Sequence, residues 1–91
     1  MAEAFDILAR VKAGLGVTGD FQDETLQGYI DEVKAFLLDA GVAQEIVDGE
    51  ASAGAITRGV ADLWNYGAGK TALSPYFMQR AAQLVYKDRG D

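Results

Sequence analysis

Between Asp23 and Gly41 the chain places apolar residues at Leu26, Tyr29, Ile30, Val33, Phe36, Leu37 and Ala40. At ~100° per residue these positions fill about a third of a helix circumference, and Gln27, Asp31, Glu32, Lys34 and Asp39 take the remainder. A strand needs alternation with a period of two, which this run lacks. The segment is therefore an amphipathic helix with one face to bury, and it needs other helices to bury it against. Asp20 or Asp23 supplies a side chain suited to its N-cap. Asp23 and Glu24 favour the positive end of its dipole, and Gly41 suits its left-handed stop.

The rest of the chain offers those partners. A first helix is expected over about residues 3–13, with Ala4, Ile7, Leu8, Val11 and Leu15 to one side, ended by the glycine-rich "GLGVTGD". "VAQEIVDG" has room for a turn or two of helix ending at Gly49. The next helix is expected from Ala51 to Tyr66, with Ala53, Ile56, Val60, Leu63 and Trp64 as its apolar face and Gly67 as its stop. Ser74-Pro75 is an N-cap hydroxyl followed by a proline at the first helical position, so the last helix should run from Pro75 to about Lys87. No run alternates convincingly enough to be a strand. The expected fold is all-α: one domain of 91 residues, a small bundle of four main helices plus one short helical turn.

Two features are wider than a single core requires. Phe77, Met78, Ala81, Ala82, Leu84 and Val85 spread over nearly half of the last helix, with Tyr76, Gln79, Arg80, Gln83 and Lys87 on its other side. Ala55 and Gly59 form a small shoulder beside the apolar face of the preceding helix. A mid-helix glycine costs about 1 kcal/mol relative to alanine, so Gly59 marks either a close approach or a neutral surface position.

Several chemistries are excluded by residue type or spacing. The chain has no cysteine and no histidine, which removes disulfides, thiolate–imidazole zinc sites and the usual imidazole acid–base catalyst. Gly69-Lys70-Thr71 resembles the end of a phosphate-binding loop, but Trp64 stands where the first glycine belongs and a helical pattern, not a strand, precedes it. A calcium loop starting at Asp20 fails at Thr25 and Asp31, where glycine and glutamate belong. Neither Ser52 nor Ser74 follows aspartate, as an acyl-carrier attachment site requires, and neither has a recognisable activating base. The expectation is a protein that is not an enzyme and uses neither cofactor nor metal. "MAEAFDIL" has no basic or long apolar character, and no run approaches the roughly 20 apolar residues of a membrane span, so a soluble product made in the cytoplasm is expected.

The net charge is −6. Asp20, Asp23, Glu24, Asp31, Glu32, Asp39, Glu45, Asp48 and Glu50 face only Lys34 within residues 20–50, whereas the balance from Arg58 onward is slightly positive. An acidic chain is poorly suited to gripping a phosphate backbone over a wide surface.

Three segments, "VKAGLGVTGDFQDETLQGYIDEVKAFLLDAGV", "GAITRGVADLWNYGAG" and "LSPYFMQRAAQLV", resemble in content and order the small head–tail connector proteins of tailed bacteriophages. The resemblance covers about residues 8–86, and its most specific parts are Asp-Leu-Trp-Asn-Tyr-Gly and Leu-Ser-Pro-Tyr-Phe. It implies a structural head-completion adaptor of the virion: a helical protein forming a ring, generally dodecameric, beneath the portal after DNA packaging. Such a ring extends the DNA channel, helps to retain the genome and meets the next head-completion or tail protein. On this reading the contacts with neighbouring subunits or portal would involve Ala55, Gly59, Tyr76, Phe77, Met78, Arg80, Val85 and Lys87. Asp31, Glu32 and Asp39 would line an acidic channel that lets DNA pass without sequence-specific binding. The alternative is a small helix-turn-helix DNA-binding packaging or regulatory protein, against which the acidic balance argues.

Overall fold

A computed structural model describes residues 6–66 and 73–88, the side chains of residues 66 and 86–88 excepted. The described residues form only helices and their connections: α1 (Ile7–Leu15), α2 (Asp23–Asp39), α3 (Gln44–Val47), a 3-10 turn (Glu50–Ser52), α4 (Ala53–Tyr66) and α5 (Pro75–Asp88). Four main helices and a short helical turn are thus in place. The expected start of the first helix near residue 3, the Gly67 stop and the Gly69-Lys70-Thr71 segment lie outside the described residues.

Local chemistry explains most helix ends. Asp6 caps α1 by accepting the Ala9 N–H at 3.2 Å. α2 ends as expected at Gly41: the Val42 N–H reaches the Leu37 carbonyl at 3.0 Å and the Gly41 N–H reaches Leu38 at 3.1 Å. Gly41 takes φ of 103° for this purpose, a backbone that a side chain would strain. Neither Asp20 nor Asp23 caps α2. Gln22 holds that position without a side-chain bond, and Asp23 lies inside the first turn. Its carboxylate is occupied elsewhere, accepting from Lys12 Nζ of α1 at 2.6 Å. Ser52 is fully buried and shares its hydroxyl proton between the carbonyls of Val47 and Gly49, at 2.8 and 3.0 Å. That bond turns the chain from α3 into α4.

α4 is the hub, packed against α1, α2 and α5. Val11 of α1, Leu26, Ile30, Val33 and Leu37 of α2, Ile56, Val60 and Leu63 of α4, and Phe77 and Leu84 of α5 form one core. Burying a side chain of this size is worth about 1.5–3 kcal/mol, so the core is what makes the separate helices one unit. Trp64 departs from expectation. It is one residue, ~100°, past buried Leu63 and sits on the flank of α4, 37% exposed.

Three residues expected at subunit contacts belong to this core instead. Phe77 is fully buried, Ala55 is 3% exposed, and Gly59 is buried between α2 and α5. A Cβ on Gly59 would stand 2.9 Å from Phe77 Cε1 and 3.0 Å from Val33 Cγ1. The missing side chain is the slot that admits the Phe77 ring, which also lies against Phe36 with centroids 5.4 Å apart. Phe77, Ala81 and Leu84 take the inward part of the wide α5 arc. Met78 and Ala82 remain exposed and Val85 is half-buried.

Candidate interaction surface

The start of α5 is fixed to α4 by a polar clamp. Asp62 is 1% exposed, and its Oδ2 accepts the Ser74 N–H at 2.8 Å. Arg58, one turn earlier, brings Nη2 to 3.5 Å from Asp62 Oδ1 and donates from Nε to Ser74 Oγ at 3.4 Å. Ser74 Oγ also accepts the Phe77 N–H at 3.2 Å, the N-cap bond expected from the Ser-Pro pair. A buried carboxylate is costly unless paired and hydrogen-bonded, and Asp62 is both. The Arg58 guanidinium lies 5.4 Å from the ring centroid of exposed Tyr76, within cation–π range.

Arg58 also lines two adjoining hollows. One is an open groove of about 600 Å³ between α1 and α4, with Arg10 beside it and a floor of small residues, Ala13, Gly14, Gly54 and Thr57. The other, about 360 Å³, is shared with Tyr76, Gln79, Arg80 and Gln83 of α5. Arg80 Nη2 would be 2.6 Å from a Cβ on Gly54, so its guanidinium lies directly over the N-terminal end of α4. Arg10, Arg58 and Arg80 thus gather positive charge from three helices onto one side of the molecule. Asp62 offsets part of it.

The opposite side is acidic. Glu24, Asp31, Glu32 and Asp39 are exposed on α2, away from its buried stripe. Asp31 accepts from Gln27 at 3.0 Å. Glu32 and Asp39 rim a small hollow of about 140 Å³ with Phe36, Leu63 and Leu73 among its apolar lining. On α4, Gly59 and Leu63 turn toward α2, whereas Gly54, Thr57, Arg58 and Ala61 line the groove. At ~100° per residue these stripes are about 170° apart, so the acidic ridge and the arginine groove lie on nearly opposite faces of α4.

The structure divides the expected contact residues accordingly. Tyr76, Met78 and Arg80 are exposed along α5, Val85 is half-buried, and the side chain of Lys87 lies outside the described residues. Asp31, Glu32 and Asp39 share one exposed helix face. Sequence reasoning missed Phe21, which projects from the α1–α2 turn at 93% exposure, and the clamp carboxylate Asp62. An aromatic between Asp20 and Gln22 in a glycine-bearing turn was the available signal for the first. The second had only its i,i+4 spacing from Arg58.

Serines 52 and 74 are tied into helix ends by the bonds above, and no cluster of three or more potential metal ligands occurs among the described residues. Within the same residues no helix is long and apolar enough to cross a membrane. In comparisons with known proteins, no family model, no curated protein and no solved structure matches the chain.

Proposed function

We propose that this chain is a structural head–tail connector of a tailed bacteriophage, a head-completion subunit that forms a ring under the portal, extends the DNA channel and joins head to tail. The observation that carries this reading beyond the resemblance is the separation of charge: an acidic ridge on α2 and an arginine groove across α4. A ring subunit turns one face to the channel and keeps others for its neighbours, and here the acidic face is separate from the arginine groove left for contacts. The most specific segments of the resemblance also meet in space, since Asp62 of "DLWNYG" accepts from Ser74 of "LSPYF". In this role Asp31, Glu32 and Asp39 face the channel and repel the DNA backbone, so the genome passes without adhering. Its partners are further copies of itself, the portal, and the next head-completion or tail protein, and it resides in the virion.

Electron microscopy of portal particles with and without the protein tests the proposal. An added ring at the portal vertex is the expected result, and particles that complete their neck without this chain would refute it.

A DNA-binding role retains one favouring observation, the grouping of Arg10, Arg58 and Arg80. It predicts a salt-dependent mobility shift on duplex DNA at sub-micromolar protein. The connector reading predicts no such shift.

A further inference from the structure

We propose that the Asp20–Phe21 turn of one copy seats in the arginine groove of a second copy, with Arg10 and Arg58 along its walls and Arg80 over its α4 end. This rests on the connector reading and deepens it by naming a subunit contact. Phe21 is 93% exposed, the most solvent-facing large apolar side chain among the described residues. Buried aromatic anchors carry much of the energy of protein interfaces, and this ring has no role in the core of its own molecule. It is flanked by exposed carboxylates, Asp20 before it and Glu24 after it.

The groove complements that tip in both shape and charge. Ala13, Gly14 and Gly54 put little bulk on its floor, where Thr57 packs against Gly14 and Arg80 covers Gly54, and its volume of about 600 Å³ compares with that of a ring and the turn that bears it. Guanidinium groups stack on aromatic faces and pair with carboxylates, so Arg10, Arg58 and Arg80 suit Phe21 and its acidic neighbours together. The apolar hollow on α2 is the wrong receptor. Its rim carries Glu32 and Asp39, which repel a tip bearing Asp20 and Glu24.

A copy does not fill its own groove. The Lys12–Asp23 ion pair at 2.6 Å holds the turn against one flank of α1, and Arg10 and Gly14 line the groove on the other. At ~100° per residue those flanks are about 180° apart. The contact therefore joins unlike surfaces of two copies and leaves a turn and a groove open at either end. Such a contact propagates until rotation closes it into a ring.

Sedimentation velocity of the full chain over a concentration series, at low and high salt, tests the contact. The wild type is expected to associate reversibly and less strongly in high salt. Phe21→Ser should weaken association by about thirtyfold. Asp20→Lys/Glu24→Lys and Arg10→Glu/Arg80→Glu should each do the same, while an equimolar mixture of the two should recover wild-type association. Circular dichroism of each variant establishes that the helices persist. Association indifferent to all three changes removes this contact and leaves the connector reading intact. A wild type monomeric at every concentration also overturns it; ring growth on portal particles, scored separately, then decides the connector reading.

Discussion

The ring of Phe77 occupies the space that a side chain on Gly59 would fill: a Cβ there would lie 2.9 Å from Cε1 and 3.0 Å from Cδ1. Gly59→Ala gains about 1 kcal/mol of helix propensity, but the ring and Val33 Cγ1 are both buried with little room to retreat. Overpacking of this kind costs about 1–3 kcal/mol, so the variant should be net destabilised by roughly 1 kcal/mol in urea melts. Gly28 is the internal control. It sits inside α2 with nothing within 4 Å of an added Cβ, and Gly28→Ala should raise stability by about 0.5–1 kcal/mol. Equal signs for the two changes would contradict this packing.

Phe77 and Phe21 should separate folding from association. Phe77→Ala removes a fully buried ring and is expected to cost about 3–5 kcal/mol, enough to unfold much of a domain this small. Phe21→Ala removes a ring that is in water, and at dilute concentration its melting curve should match wild type to within about 0.5 kcal/mol.

The clamp between α4 and α5 should be costly to open. Asp62→Ala leaves the Ser74 N–H without its acceptor and strips Arg58 of its carboxylate. The expected loss is about 1–3 kcal/mol. Ser74→Ala keeps the Asp62 bond but loses the N-cap to Phe77, and should cost about 1 kcal/mol. Amide exchange at the start of α5 should accelerate more in the first variant than in the second.

Neutralising the acidic ridge tests the channel role. Asp31→Asn, Glu32→Gln and Asp39→Asn are exposed substitutions on one helix face, and together they should change stability by less than about 1 kcal/mol. Ring assembly should persist while DNA retention or ejection is impaired. An unchanged phage phenotype would count against these residues facing the channel.

Much of the architecture was legible because helical periodicity is a local signal. α2, the Gly41 stop and the Ser74 cap each depend on residues within a turn or two of one another. The misplaced features depend on distant residues. Whether Gly59 is a slot or a neutral surface position turns on Phe77, eighteen residues later, and on Val33 of another helix. Helical spacing places both Leu63 and Trp64 on the apolar face, but Leu63 takes the inward position and leaves Trp64 on the flank. Asp23 suits a cap by residue type, but it lies inside the first turn, with its carboxylate on Lys12 of another helix. The same limit applies to the interaction surface. The acidic residues of α2 share a face by spacing alone, but the arginine groove draws on three helices, and nothing local announces that Arg10, Arg58 and Arg80 converge.

The bond from Asp62 to the Ser74 amide has a consequence for how the gene could change. α5 is aimed by contacts outside its join to α4: the Asp62 carboxylate at its start and Phe77 in the Gly59 slot. Doubling the length of such a join costs about 0.6 kcal/mol in closure entropy. Insertions after Tyr66 should therefore be absorbed without re-aiming α5, which makes this the natural place for length variation or a grafted tag.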